Sequence, residues 1–307
     1  MNATRRNLGF IGLGIMGAPM AGHLLAAGHR LEVHTRTKSK AVALLDQGAT
    51  WCGTPADVAA GAEVVFTMVT DTPDVEQVLF GGGGIVTAAR SGLIIVDTST
   101  ISPQATRDFS ARLAQHGVAL LDAPVTGGDI GARNATLTIM VGGDTAAFEQ
   151  ARPVLELMGK KIVHVGASGA GQMLKACNQI LCALNILGVS EALALAESSG
   201  IALETVIDVL GGGAGGSWAL ANYGPRIARG DYAPGFMIRL QQKDLRIVQE
   251  AAQAAAIALP GTALAQQLFR AVESLTGGGD LGTQAMMKAV RQLSNRPPPA
   301  NDAPRGA

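Results

Sequence analysis

Three clusters of residues have the types and spacing to do chemistry. The first is Gly12, Gly14 and Gly17, a GxGxxG completed by Leu13, Ile15 and Met16. It stands between the apolar run Leu8–Ile11 and a helical pattern, Ile15 to Ala27, that Gly28 stops. Strand, glycine turn and helix in that order form the phosphate-binding start of a dinucleotide fold. Gly12 allows the tight turn, Gly14 admits a pyrophosphate against the backbone, and Gly17 packs helix on strand. The helix start adds open N–H groups and the positive end of a dipole. In a chain with 40 glycines the motif alone says little; its placement between strand and helix carries the reading.

The second cluster is Lys175 in GAGQMLKACNQ, Gly169–Gln179, near the start of a long apolar helix. Asn178 and Gln179 share roughly its side of the helix at i+3 and i+4. A charge early on an apolar helix is costly unless it faces a cleft. A lysine there can donate a proton to a carbonyl oxygen as hydride reaches the carbon, and withdraw it in reverse. Position alone fits an ordinary helix-start lysine equally well. The third cluster is Asp122–Gly128, DAPVTGG. The N–H groups of Thr126, Gly127 and Gly128, with the Thr126 hydroxyl, make a small anion nest suited to a substrate carboxylate. Taken alone, these residues fit a glycine-rich strand–helix turn slightly better.

The end of the second strand bears on the cofactor. NAD selectivity needs a carboxylate there to bind both ribose hydroxyls. The segment reads His34-Thr35-Arg36-Thr37-Lys38, with no acid. Arg36, Thr37 and Lys38 can instead hold a 2′-phosphate, the arginine through its planar fork. The expectation is NADP(H) preferred, with NAD(H) possible. Other dehydrogenase chemistries fail on inventory. Tyr223 and Tyr232 are followed four residues on by Ile227 and Phe236, so no Tyr-xxx-Lys pair exists. Zinc ligands are wanting, and no metal is expected. The five histidines are scattered and read as surface or packing residues.

The elements that position these clusters follow from the apolar pattern. Leu31–His34, Val64–Val69, Leu93–Asp97, Val118–Asp122, Leu137–Val141 and Ile162–Val165 read as strands. Helical stretches such as Pro103–Gln115 and Thr145–Met158 alternate with them. The alternation predicts an α/β fold: an N-terminal Rossmann-type, doubly wound parallel sheet. After Gly166 the pattern becomes helical: Gly171–Gly200, Leu203–Leu210, Lys243–Ile257 and Thr262–Ser274. The predicted division is a dinucleotide-binding domain at residues 1–167, an all-α domain for substrate and oligomerisation at 168–294, and a disordered tail at 295–307, NRPPPANDAPRGA.

Charge is balanced, 24 basic residues against 24 acidic, which leaves no footprint for nucleic acid or an anionic membrane. Cys52, Cys177 and Cys182 show no CxxC spacing, and a reducing cytoplasm fits them. Arg5-Arg6 before an apolar stretch mimics a signal peptide, but the same residues are needed as first strand and turn. Ile180–Ala196 is interrupted by Asn185, Ser190 and Glu191 and reads as a core helix short of a membrane span. Its apolar surface exceeds what one small domain covers, which points to a homodimer or homotetramer.

Four segments together resemble the β-hydroxyacid dehydrogenase family, which includes 3-hydroxyisobutyrate dehydrogenases and 2-hydroxy-3-oxopropionate (tartronate semialdehyde) reductases. They are GFIGLGIMGAPM at 9–20, DAPVTGGDIGARNATLTIMVGG at 122–143, GQMLKACNQ at 171–179 and PGFMIRLQQKDL at 234–245. The resemblance spans nearly everything before the tail. It implies that Lys175 is the catalytic lysine and that Thr126, Gly127, Gly128 and Asn178 hold the substrate. It also implies that Lys243 reaches over the cofactor, that Met68, Val69 and Thr100 line the nicotinamide side, and that Phe236 and Trp218 wall the pocket. Two positions depart from the family pattern: Thr126 stands for a usual Ser and Ala135 for a usual Gly. The implied activity is NADP(H)-dependent interconversion of a small 3-hydroxy acid and its semialdehyde, first of all reduction of 2-hydroxy-3-oxopropionate. Hydroxyisobutyrate oxidation and succinic semialdehyde or glyoxylate reduction are the alternatives within the family. An imine reductase would carry Asp or Tyr in place of Lys175. A non-catalytic dinucleotide-binding scaffold would lose the lysine and usually carry extra domains.

Overall fold

A computed structural model describes residues 5–296. The chain divides into two compact units, one ending at Lys175 and the other starting at Ala176. The predicted tail lies outside the described residues from position 297 onward.

The first unit runs β1 (Asn7–Ile11), α1 (Gly17–Ala26), β2 (Arg30–His34), α2 (Val42–Leu45), β3 (Thr50–Trp51), α3 (Pro55–Gly61), β4 (Val64–Thr67), α4 (Thr72–Phe80), β5 (Ile94–Asp97), α5 (Pro103–Ala114), β6 (Ala119–Asp122), β7 (Val125–Thr126), α6 (Gly128–Arg133), β8 (Leu137–Gly142), α7 (Thr145–Leu155) and β9 (Gly159–Gly166). The nine strands form one sheet in the order β3-β2-β1-β4-β5-β6-β8-β7, with β9 paired to β8. Strand order reverses at the β1–β4 junction, and a ligand crevice opens at the carboxyl ends of the strands at such a point. β4 and β5 are buried along their whole length, as strands covered on both sides must be. Alternate residues feed two cores. Phe10, Phe66 and Val96 belong to one, and Val65, Ile95 and Leu120 to the other.

The sheet is parallel from β3 to β6 and again between β8 and β9. β8 runs antiparallel to both β6 and β7. The six-residue α6 spans only about 9 Å, too little to carry the chain back for a parallel return. Ala135, just after α6, adopts φ 52°, the left-handed region where a side chain costs about 1–2 kcal/mol. The turn at this departure from the family pattern therefore forms, under strain that a glycine would not feel.

The second unit is helical. α8 (Ala170–Ser198) begins in the first unit and continues into it, followed by α9 (Leu203–Gly211), α10 (Trp218–Ala228), α11 (Ile238–Ala254), α12 (Pro260–Glu273) and α13 (Met286–Leu293). Its core includes Ile186, Leu193, Ile227, Leu245, Phe269 and Met286. By length and composition alone α8 could cross a bilayer, contrary to the sequence expectation. Polar Ser190 is fully buried within α8 and donates to the Ile186 carbonyl at 2.8 Å, which removes its need for water. Ala183, Ile186, Leu187, Val189 and Leu193 on α8 pack in the helical core.

Candidate active site

The first glycine turn separates what the fold needs from what a ligand needs. Gly12 has φ +99°, and a Cβ there would lie 2.2 Å from the Met68 carbonyl oxygen. A Cβ on Gly17 would lie 1.9 Å from the Gly12 oxygen. A Cβ on Gly14 would meet nothing within 4 Å. Leu13 is buried, and Ile15 is exposed. α1 has no side-chain cap and no acid in its first turn. Its leading N–H groups therefore suit an external anion, and the residues present fit a dinucleotide pyrophosphate.

At the next strand end, Arg36 lies exposed and pairs with Asp74 at 3.3 Å. The Lys38 ammonium stands 5.5 Å over the Trp51 ring. Thr35 and Thr37 complete the turn. Glu32, the acid within β2, lies two residues before the strand end and beside Asp57 and Gly61. Burial, then the Asp57 charge, raises its pKa.

A buried carboxylate organises the ends of β4 and β5. Asp97 Oδ1 accepts from Thr67 Oγ1 at 2.7 Å and from the Ser99 N–H at 3.1 Å. Ser99 Oγ accepts from the Val69 N–H at 2.9 Å, and Met68 N–H bonds to the Ile11 carbonyl. Thus Asp97 fixes the two loops that carry Met68, Val69 and Thr100. Burial pushes its pKa up to about 6 against the hydrogen bonds from Ser99 and Thr67. Its Oδ2 has no hydrogen-bond partner among the described residues. Sequence reading missed Asp97, although an acid ending the run LIIVD was a visible signal.

In the second glycine turn Thr126 pairs with Thr138, Gly127 has φ +129° and Gly128 has φ +63°. A Cβ on Gly128 would meet nothing within 4 Å. Asp122, at the end of β6, caps α8. Its Oδ1 accepts from Gly169 N–H at 2.8 Å and its Oδ2 from Gln172 N–H at 2.9 Å. Burial raises the Asp122 pKa in spite of these bonds. Gln172 accepts from Ile101 N–H at 3.1 Å and donates to the Ser99 carbonyl at 2.8 Å. Lys175, one turn on, is buried. The first turn of α8 is thus tied by Asp122 and Gln172 to the ends of β5 and β6, a role that the sequence did not reveal for either residue.

Within the second unit, Asn178 and Lys243 are joined through two buried side chains. Asn178 Nδ2 donates to Gln179 Oε1 at 2.7 Å, and Gln179 Nε2 donates to Asp244 Oδ2 at 2.6 Å. Lys243 Nζ meets Asp244 Oδ1 at 2.7 Å. Trp218, the first residue of α10, is 62% exposed with its ring edge-on to Tyr223 at 5.2 Å. The Phe236 carbonyl accepts from Thr283 N–H. Four histidines bond to backbone: His23 to Ala132, His29 to Arg6, His34 to Cys52 and His164 to Gly143. Among the described residues no group of three His, Cys, Asp or Glu is placed to hold a metal.

Comparison with known proteins bears on this arrangement. The family described as the NAD binding domain of 6-phosphogluconate dehydrogenase matches residues 7–166. That described as NAD-binding of NADP-dependent 3-hydroxyisobutyrate dehydrogenase matches residues 169–290. The 2-hydroxy-3-oxopropionate reductase of Escherichia coli is 46% identical over 94% of this chain and 98% of its own length. The 3-hydroxyisobutyrate dehydrogenase of Pseudomonas aeruginosa is 40% identical over 86% and 91%. A solved structure of the Mycobacterium tuberculosis 3-hydroxyisobutyrate dehydrogenase, described with L-serine, matches with a TM-score of 0.86 at 34% identity, covering 94% of this chain and 100% of that one. Fold and family define an NAD(P)-dependent oxidoreductase that acts on the hydroxyl group of a small hydroxy acid. The chain belongs to the β-hydroxyacid dehydrogenase family.

Proposed function

We propose that this enzyme prefers NADP(H) and interconverts a small 3-hydroxy acid with its semialdehyde, with 2-hydroxy-3-oxopropionate as first substrate. The observation that carries the reading is Lys175, a buried ammonium on a helix pinned by Asp122 and Gln172. A buried lysine held this firmly suits proton transfer better than a solvated surface role. A bound nicotinamide cofactor supplies or accepts hydride at its C4. Gly12–Gly17 and the start of α1 hold its pyrophosphate, while Met68, Val69 and Thr100 line its nicotinamide. Lys243 and Phe236 also contact it. Lys175 gives a proton to the substrate carbonyl oxygen in reduction and takes it back in oxidation. Thr126, Gly127 and Gly128 bind the substrate carboxylate, Asn178 orients its hydroxyl end, and Trp218 walls it. Orientation of this kind contributes several kcal/mol to catalysis.

The exposed Arg36 and the absence of an acid at 35–38 support the NADP preference. Exposed Leu181 and Leu195 on α8 support self-association as a homodimer or homotetramer. The three cysteines form no disulfide, which suits a cytoplasmic location. Residues 1–167 serve as the cofactor domain and 168–294 as the substrate domain. Oxidation of NADPH and NADH by a panel of semialdehydes, and reduction of NADP+ and NAD+ by the corresponding hydroxy acids, both followed by absorbance, test the reading. The expected result is a higher kcat/KM with NADPH and with 2-hydroxy-3-oxopropionate. Better turnover with NADH contradicts the cofactor assignment. Equal use of an uncharged aldehyde of the same length contradicts the carboxylate site.

A further inference from the structure

We infer that Gln179 is a positioning residue that turns the Asn178 carboxamide so that its oxygen faces the ligand, and that this selects substrates carrying a hydrogen-bond donor on C2. The inference rests on the placement of Asn178 at the substrate proposed above.

The polarity follows from donor and acceptor chemistry alone. Lys243 can only donate, and its ammonium lies 2.7 Å from Asp244 Oδ1. The ion-paired Asp244 carboxylate is therefore an acceptor. Its other oxygen stands 2.6 Å from the Gln179 side chain, so Gln179 must present its NH₂ there. Gln241 agrees: its Oε1 accepts from Gln179 Nε2 at 3.3 Å, and its Nε2 donates to the Gln179 carbonyl at 3.4 Å. With the nitrogen so committed, Gln179 Oε1 points to Asn178 and must accept, which it does at 2.7 Å. Asn178 therefore spends one N–H on Gln179 and directs the other at Cys182 Sγ, 3.4 Å away. Its Oδ1 is the group left for a substrate, and a carbonyl oxygen only accepts.

Gln179, Gln241 and Asp244 are buried, so reversing either amide would set oxygen against oxygen without water to relieve it. A carbonyl being reduced is itself an acceptor and gains nothing from Asn178 Oδ1. A C2 hydroxyl or ammonium gains a hydrogen bond; a C2 methyl or hydrogen does not. Gln179 is long enough to reach Asp244, and an asparagine, one methylene shorter, is not.

The test compares 2-hydroxy-3-oxopropionate with 2-methyl-3-oxopropionate in the wild-type enzyme and in Gln179→Asn. One neutral hydrogen bond predicts a preference for the hydroxyl substrate of about tenfold in kcat/KM. In Gln179→Asn the ratio should fall toward about one, read at saturating NADPH. The wild-type comparison needs no variant and stands even if Gln179→Asn does not fold. A wild-type enzyme that prefers the methyl substrate overturns the inference and leaves the dehydrogenase reading intact. So does a variant that folds and keeps the full ratio. Failure of the wild-type enzyme to reduce either acid overturns the proposed function, and the inference with it.

Discussion

The two glycine turns of the first unit look alike in sequence and differ in what enforces them. In the first, Gly12 and Gly17 are crowded by backbone at 2.2 and 1.9 Å, while Gly14 faces open space without a left-handed φ. In the second, Gly128 also faces open space but sits at φ +63°. Crowding makes Gly12 and Gly17 necessary to the fold, φ alone favours glycine at Gly128, and neither applies at Gly14, where the proposed pyrophosphate contact is the remaining reason for a glycine. A motif written as one pattern is thus two sets of constraints, and mutation can separate them.

The largest effect expected is on the fold. Gly17→Ala drives a methyl into the Gly12 carbonyl, and overpacking against backbone should cost roughly 3 kcal/mol or more. Thermal unfolding measures it. A Tm within error of wild type would mean the turn is not closed as described. Gly14→Ala and Gly128→Ala then form a matched pair. Gly14→Ala should leave Tm unchanged and weaken NADPH by about tenfold, read as Kd by titration. Gly128→Ala should lower stability by about 1 kcal/mol and raise substrate KM without touching cofactor Kd. A Gly14→Ala enzyme that binds NADPH normally would dissolve the contrast.

A smaller effect concerns the carboxylate that ties the first turn's neighbours together. Asp97 keeps its proton to about pH 6 in the fold, against an ordinary value of 3.8. The folded chain therefore binds more protons than the unfolded one between these values. The stability this gives is complete below about pH 4 and lost as pH rises through about 6. Asp97→Asn cannot ionise, so its Tm should fall less than that of the wild type between about pH 5 and about pH 8. Equal falls in both proteins would show that Asp97 is not the titrating group.

Much of this was legible in the sequence because it is local. GxGxxG between strand and helix, the buried runs VVFT and IIVD, and the 29-residue α8 all announce themselves within a short window. β3 and β7 did not, since two residues have no period. α3 and α4 were marked by their caps, Thr54 with Asp57 and Asp71 before Pro73, but carry too few apolar repeats to stand out. α11 begins at Ile238, five residues before the sequence pattern placed it, because polar Arg239, Gln241 and Gln242 hide its first turns. The antiparallel return of β8 depends on the shortness of α6, which only the structure shows. What positions the candidate site residues was least legible. Asp122 lies 47 residues from Gly169, and Gln179 lies 65 from Asp244, so neither pairing leaves a local trace.

Proton transfer by Lys175 carries the proposed activity. Steady-state turnover of Lys175→Ala with NADPH and 2-hydroxy-3-oxopropionate, beside its Kd for NADPH, tests this most directly. A kcat lower by about 10²–10⁴-fold with cofactor affinity nearly intact is expected. A variant that retains more than about a third of the wild-type kcat would contradict it, because loss of a general acid cannot cost so little.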